Sequence, residues 1–328
     1  MIYELAKEIC GAFGPSGRET EVANLIKSKI EKNVDEVYTD TLGNLIAHKK
    51  GTGAKVMVSA HMDSIGMAVT YIEDEGFIRF GSVGGLSKED LINIPVRFKN
   101  GTRGVVSHDE GKKFAELTIT DFYIDIGAKD KDEALKSVKV GDFAVYATDH
   151  VKQGNVIIGP YMDNRISCVA QILAILNPEK SDKDIYYVFS AQEEVGLRGA
   201  TTASYDIAPD FGIAIDITGT GDTPEKVNKM AVKLGEGACV KIMDSSVICS
   251  PAVRDVMIEA GKKLKINTQD EVLRFGGTDT GAIQRSRAGV LAGAISIGTR
   301  YIHSPQEMVS ISDVEDASKL LAMTIKML

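Results

Sequence analysis

The stretch IYYVFSAQEEVGLRGA, residues 185–200, gives the strongest indication of the fold. Its first seven residues form a nearly continuous apolar run, which is typical of a strand buried on both faces of a parallel or mixed sheet. Two adjacent carboxylates, Glu193 and Glu194, follow this run almost directly. Like charges at the end of a buried strand are costly unless they are paired or bind a metal ion. The stretch therefore predicts a central strand with reactive side chains at its carboxyl end.

Similar patterns occur on both sides of this stretch. Further strands are predicted at LGNLIAH (42–48), KVMVSAH (55–61), FGIAIDI (211–217) and GVLAGAISI (289–297). Amphipathic helices are predicted at 163–176, 251–264, 280–287 and 313–328. Ser16 and Glu19 also match the spacing of a capping box at the start of an N-terminal helix. Together these patterns predict an α/β fold in which helices sandwich a mixed sheet.

Residues 68–159 differ from this pattern, because short alternating strands and turns dominate them. The α/β pattern resumes directly afterwards. We therefore predict an α/β catalytic domain formed by residues 1–67 and 160–328. A small β-rich domain, residues 68–159, is predicted to be inserted into it.

Composition limits the classes of function. The net charge of −8 disfavours nucleic acid as a partner, because phosphate binding needs a basic surface. No apolar run approaches the roughly 20 residues that span a bilayer, and the first residues lack the apolar segment of a signal peptide. The four cysteines are scattered, without the spacing of a metal site or a disulfide framework. We expect a cytoplasmic protein without membrane contacts.

A set of polar residues is predicted to lie where strands end or helices begin. They are His61, Asp63, Asp163, Glu193, Glu194, Asp216 and His303. Sites in α/β folds form beyond the carboxyl ends of the strands, so these residues are expected to converge. Two imidazoles with several carboxylates, and no nearby cysteine, suit Zn²⁺, Co²⁺ or Mn²⁺.

Two such ions would need a carboxylate that bridges them. Asp63 is placed to accept the second imidazole N–H of His61 and so to orient a metal ligand. One of the adjacent glutamates can bind a metal ion while the other acts as a general base. Each residue also has a structural explanation: the glutamates as surface charges, Asp163 as a helix N-cap and Asp216 as a loop anchor. The coincidence of all of them favours a metal site.

With these residues identified, the chain resembles the M42 family of metallo-aminopeptidases, the glutamyl, deblocking and tetrahedral aminopeptidase group. The motifs that carry the resemblance are AHMD (60–63), GPYMDNR (159–165), SAQEEVGLRGA (190–200), DIT (216–218), GGTDTGA (276–282) and YIHSP (301–305). They occur in the family's order and span nearly the whole chain. About a hundred residues separate the first two motifs, whereas the related M20 and M28 families keep the corresponding motifs much closer.

The resemblance implies two divalent metal ions per subunit, Zn²⁺ or Co²⁺, with Mn²⁺ as a further candidate. His61 and Asp216 would bind one ion, and Glu194 and His303 would bind the other. Asp163 would bridge the two ions. The family fold is an α/β catalytic domain that carries an inserted β-rich domain.

The resemblance further implies an enzyme that removes N-terminal residues from short peptides. A hydroxide bridging the metal ions would attack the peptide carbonyl, with Glu193 as the general base. Asp63 would orient His61. Ser64 departs from the family, which usually has an acidic residue at this position, and the preferred N-terminal residue of the substrate stays open.

The family also implies a homo-oligomer, a dodecamer built from dimers, in which the inserted domain serves assembly.

The alternatives to this function are a glycan hydrolase and a non-catalytic assembly scaffold. A glycan hydrolase is disfavoured because glycosidase carboxyl groups flank the scissile bond, which adjacent glutamates cannot do, and because the chain has no Trp. A non-catalytic assembly scaffold is disfavoured because every candidate ligand position holds a residue that can bind a metal ion.

Overall fold

A computed structural model describes residues 1–224 and 229–328 of the chain. Its helices are α1 (Ile2–Gly11), α2 (Thr20–Ile30), α3 (Lys131–Ala134), α4 (Met162–Leu176), α5 (Arg198–Ile207), α6 (Pro251–Leu264), α7 (Asp279–Gln284) and α8 (Ile311–Met327). Its strands are β1 (Glu36–Thr39), β2 (Leu45–Lys49), β3 (Lys55–His61), β4 (Gly66–Ile72), β5 (Ile78–Val83), β6 (Pro95–Phe98), β7 (Arg103–His108), β8 (Phe122–Asp125), β9 (Phe143–Tyr146), β10 (Val151–Gln153), β11 (Val156–Gly159), β12 (Asp184–Ser190), β13 (Phe211–Gly219), β14 (Ala238–Met243), β15 (Thr268–Val272), β16 (Leu291–Arg300) and β17 (Glu307–Ser310).

The larger of two sheets has a parallel centre and antiparallel edges. Its strand order is β1-β2-β12-β3-β13-β16-β17-β11-β10, and β14 pairs with both β15 and β16. The central strands β12, β3, β13 and β16 run parallel, so their carboxyl ends lie along one edge. Ser190 at the end of β12 pairs with His61 at the end of β3. The predicted mixed sheet is confirmed.

Helices cover both faces of this sheet. Successive residues of a strand point to opposite faces, so each central strand contributes side chains to the packing on both sides. Val56 and Val58 of β3 belong to the larger core, which α1, α2, α4, α6 and α8 share. Met57, between them, belongs to a smaller core on α5 and α7. Nearly every residue of α4 is buried, so its first turn brings Asp163 inside the protein. Among the described helices, none is both long enough and apolar enough to cross a membrane.

The second sheet closes into a small barrel. Around it run β4, β5, β8, β7, β6 and β9, with Phe80, Phe98 and Phe122 in the core. The predicted β-rich insert is thus confirmed. Two strands of the range 68–159, β10 and β11, pair with the larger sheet through β17 rather than with the barrel.

The predicted capping box is wrong. The helix α2 begins at Thr20, and no side chain caps its N-terminus. The Ser16 hydroxyl instead donates to the Asp63 carboxylate at 2.6 Å. The Glu19 carboxylate accepts the backbone N–H of Gln192 at 3.2 Å. Partners distant in sequence have replaced the local hydrogen bonds that the spacing predicts.

Candidate metal centre

The predicted ligands converge at the carboxyl edge of the larger sheet. His61 ends β3, Asp216 lies in β13, Asp163 lies in the first turn of α4, Glu194 follows β12, and His303 lies in the turn between β16 and β17. Their donor atoms form two groups, one of His61, Asp163 and Asp216 and one of Asp163, Glu194 and His303. Within each group the donor atoms lie within 4.8 Å of one another. The structure therefore brings together all five predicted ligands.

Asp163 belongs to both groups and directs one carboxylate oxygen into each. Its Oδ1 atom lies 3.1 Å from His61 Nε2, and its Oδ2 atom lies 3.1 Å from His303 Nε2. The two imidazoles thus face opposite oxygens of a single carboxylate. This is the arrangement that a carboxylate shared by two cations requires.

The remaining contacts complete the two groups. Asp216 Oδ1 lies 3.9 Å from His61 Nε2, and Glu194 Oε2 lies 3.4 Å from His303 Nε2. Glu193 Oε2 lies 3.7 Å from His61 Nε2, but Glu193 belongs to neither group. The glutamate pair is therefore divided, with one carboxylate inside a group and the other beside it.

The donor set fits divalent metal ions. It contains imidazole nitrogens and carboxylate oxygens, which suit Zn²⁺, Co²⁺ and Mn²⁺. The buried Glu194 Oε1 atom has no hydrogen-bond partner among the described residues, and an unpartnered buried carboxylate oxygen is costly unless a cation binds it. When ionised, the buried carboxylates carry more negative charge than the two imidazoles can balance, and bound cations would supply the rest.

The acids and bases of the cluster shift one another's proton affinity. Burial, reinforced by Asp163, raises the pKa of the Glu194 carboxyl to about 8. Burial also raises the pKa of Glu193 well above its ordinary value, and the Asp216 carboxylate adds to this effect. Although burial disfavours its charged form, contact with Asp163 raises the pKa of His303 to about 10. Without bound cations, the cluster retains protons to reduce its negative charge.

Asp63 contacts the backbone of the glutamate pair. Its Oδ1 atom accepts the Glu193 N–H at 2.9 Å, and its Oδ2 atom accepts the Glu194 N–H at 3.2 Å. The distance from Asp63 Oδ1 to His61 Nδ1 is longer, at 3.5 Å. Asp63 thus holds the turn after β12, and its orientation of His61 stays a prediction.

Two buried carboxylates that support the site were not predicted. Glu307 accepts the backbone N–H of His303 at 2.7 Å and that of Asp163 at 3.1 Å. Asp279, in the GGTDTGA motif, accepts the hydroxyls of Ser59 and Ser190 at 2.6 Å each. The only signal in the sequence is an acidic residue inside a recognised motif or just after one, which does not show that the side chain is buried.

The barrel also reaches the site. The carbonyl oxygen of Gly85, in the loop after β5, lies 3.0 Å from His303 Nδ1. A hydrogen bond to a backbone carbonyl fixes which imidazole nitrogen is free to bind a metal ion. A Cβ atom on Gly85 would lie 2.8 Å from the same nitrogen, so only glycine permits this close approach.

A cavity of about 780 Å³ opens beside the two groups. The described part of its lining includes an apolar wall formed by Leu197, Ile217, Met230, Leu273, Phe275 and Ile302. Gly276, Gly277 and Thr278, of the GGTDTGA motif, line it as well. The guanidinium of Arg300, also in the lining, is paired with both oxygens of Asp222 at 3.1 and 2.7 Å.

Several known proteins with this sequence pattern and fold are described as aminopeptidases. The family model of M42 glutamyl aminopeptidases matches residues 43–320. A proposed aminopeptidase of Acetivibrio thermocellus is 49% identical, over 99% of this chain and 98% of its own. An aminopeptidase structure from the archaeon Desulfurococcus kamchatkensis has a TM-score of 0.95 and 36% identity, over 99% of this chain and 94% of its own.

The TET1 peptidase of Pyrococcus horikoshii, which can assemble into a tetrahedron or a large octahedral shell, is similar over 100% of both chains. Its TM-score is 0.89 and its sequence identity is 31%. The match to the family model and the relatives that cover nearly the full chain confirm the predicted family. The chain belongs to the M42 family of aminopeptidases, enzymes that hydrolyse peptide bonds.

Proposed function

We propose that the enzyme uses two divalent metal ions to remove N-terminal residues from short peptides. The observation that carries this proposal is the division of the Asp163 carboxylate, whose two oxygens each lie 3.1 Å from a different imidazole. His61 and Asp216 would hold one ion, Glu194 and His303 the other, and Asp163 both. Zn²⁺ and Co²⁺ are the best candidates for this donor set, with Mn²⁺ as a third.

When bound, two such ions would polarise the peptide carbonyl and acidify a water molecule. Glu193 would take a proton from the water as its oxygen bonds to the carbonyl carbon. When the carbon–nitrogen bond breaks, Glu193 would pass that proton to the leaving amine. Asp63 would hold the base in place through its hydrogen bond to the Glu193 N–H.

The free N-terminus of a peptide suits a site that holds two metal ions. With the ions bound, the charge of the surrounding carboxylates would be offset, and the unprotonated α-amine would be a ligand that orients the peptide. The cavity of about 780 Å³ is of the size that holds small ligands. Both features support cleavage at the N-terminus.

Hydrolysis of aminoacyl anilides before and after chelation tests the proposal. We expect chelation to abolish hydrolysis, and Zn²⁺ or Co²⁺ to restore it. The same anilides with an acetylated amine should not be cleaved, because an amide nitrogen cannot bind a metal ion as a free amine does. Full activity after complete metal removal, or hydrolysis of carboxymethylcellulose by the loaded enzyme but not of the anilides, would contradict the proposal.

We also propose that the chain assembles with itself, as a dodecamer built from dimers. The similarity to the P. horikoshii peptidase, which assembles into closed shells, supports this over the full length of the chain. Mass measurement in solution tests it, and a monomer at micromolar concentration would exclude it.

A further inference from the structure

We infer that Glu307 is a positioning residue that holds two metal ligands, Asp163 and His303, in place through their backbones. The inference rests on the two-metal function proposed above and assigns a role to a residue that belongs to neither group of candidate metal ligands. Glu307 begins β17, and only 1% of its surface is exposed. It is therefore a buried carboxylate whose position is set by the sheet.

The two oxygens of Glu307 serve two different segments. Oε1 accepts the His303 N–H at 2.7 Å, within the turn that leads into β17. Oε2 accepts the Asp163 N–H at 3.1 Å, across 144 residues of sequence. One buried carboxylate thus links the His303 backbone to the Asp163 backbone. It fixes the distance between these two N–H groups, which are both donors and cannot bond to each other.

The pairing of β17 with β11 explains how Glu307 reaches both segments. Gly159, the last residue of β11, pairs with Glu307, and Asp163 follows four residues later. His303 lies four residues before Glu307 on the other side. The carboxylate therefore lies between the turn that carries one ligand and the turn that carries the other.

Both turns contain residues in an unfavourable backbone conformation. His303 has φ +66° and Tyr161, two residues before Asp163, has φ +64°. Residues other than glycine keep this left-handed conformation only when the surrounding structure holds them in it. For His303, the hydrogen bond from its own N–H to Glu307 is such a restraint.

The side chains that Glu307 controls meet in one of the two metal-binding groups. His303 Nε2 and Asp163 Oδ2 lie 3.1 Å apart, and Glu194 completes that group. The other group contains Asp163 but not His303. Loss of the Glu307 restraint should therefore weaken the binding of one metal ion more than that of the other, which general destabilisation of the fold would not do.

Glu307→Gln tests this with little change in size. An amide has one acceptor oxygen, so one of the two backbone N–H groups would face a donor. The matched control is Asp313→Asn. Asp313 is also fully buried, and its oxygens accept the N–H groups of Gly235 and Gly237 at 2.8 and 3.0 Å. Neither Asp313 nor these two glycines belongs to a metal-binding group. The two variants suffer the same chemical loss at different places.

The measurement is the titration of each metal-free protein with Co²⁺, followed by the visible absorption of the bound ion and by calorimetry. Thermal unfolding midpoints are measured alongside. For Glu307→Gln we expect the affinity for one of two ions to fall about 10- to 100-fold. Asp313→Asn should bind both ions as the wild type does, even where its unfolding midpoint falls as far.

Glu307→Asp provides a second variant in case the glutamine variant does not fold. It keeps both acceptor oxygens on a shorter side chain, so the same ion should be lost to a smaller extent. Wild-type affinity for both ions in the Glu307 variants overturns the inference but leaves the proposed function standing. Equal weakening in Glu307→Gln and Asp313→Asn also overturns it. A wild type that binds no Co²⁺ would instead refute the proposed function itself.

Discussion

Asp63 and Glu193 are joined by a hydrogen bond of 2.9 Å, in which the Asp63 carboxylate accepts the Glu193 backbone N–H. The contact links the residues just beyond β3 to those just beyond β12, two strands that are neighbours in the sheet. The proposed general base therefore lies on a turn whose backbone is anchored beside His61, a proposed metal ligand. Its carboxylate lies close to the cluster without belonging to either metal-binding group.

Replacing Glu193 by Gln should remove the base and leave the ligands intact. We expect kcat to fall about 10²- to 10⁴-fold, while metal content stays at the wild-type value. Aminoacyl-anilide kinetics and elemental analysis of the purified protein measure both quantities. Asp163→Ala is the informative comparison, because it should lose bound metal and activity together. Unchanged kcat in Glu193→Gln would remove Glu193 from the mechanism.

Metal uptake should depend strongly on pH. In the metal-free protein the pKa of His303 is raised to about 10 and that of Glu194 to about 8. Both groups therefore carry protons at neutral pH, and a metal ion must displace them to bind. Binding should release protons, and the apparent affinity should rise as the pH increases from about 6 to about 9. Calorimetry in buffers of different ionisation enthalpy counts the protons, and an affinity independent of pH would contradict the expectation.

Adding one methyl group to the barrel loop should disturb the metal centre. In Gly85→Ala the new Cβ atom would lie 2.8 Å from His303 Nδ1, which forces the imidazole or the loop to move. We expect metal affinity to fall about 10- to 100-fold, the range found for residues that support ligands. Gly11→Ala is the matched control, because its Cβ would come no closer than 4.0 Å to His150. Titration with Co²⁺ compares them, and equal affinities would show that the loop yields freely.

The apolar wall of the cavity should favour an apolar first residue in the substrate. Phe275 belongs to this wall and is 52% exposed, so its ring is available to a ligand. Phe275→Ala should lower kcat/KM for leucine anilide by about tenfold, the effect of a hydrophobic contact in a specificity pocket. Alanine anilide serves as the control, since its methyl group reaches less of the wall. A greater loss with glutamate anilide than with leucine anilide would contradict this assignment.

The sequence predicts those parts of the fold that depend on local pattern. The strand KVMVSAH at 55–61 and the helix at 251–264 have the predicted bounds, because periodic apolar residues determine both. The convergence of His61, Asp163 and His303 could also be predicted, since the carboxyl ends of parallel strands meet at one edge.

The supporting contacts could not be predicted, for physical reasons. The Gly85 contact uses a backbone carbonyl, which every residue possesses, and joins positions 218 residues apart. Ser16 shows the opposite error. Its spacing from Glu19 satisfies a local rule, but its hydroxyl donates instead to the carboxylate of Asp63, just beyond β3. The local pattern does not contain this partner. Tertiary hydrogen bonds are visible only once the fold brings the partners together.

The order of the proposed ligands along the chain has a consequence for biosynthesis. The first proposed ligand is residue 61 and the final one is residue 303, while translation proceeds from the N-terminus. A chain that stops before His303 contains every strand of the barrel, yet it lacks one member of the group formed by Asp163, Glu194 and His303. Because the proposed activity needs both groups, we expect peptide cleavage to begin only after residue 303 has been incorporated, so that shorter products of translation would be inert toward neighbouring peptides.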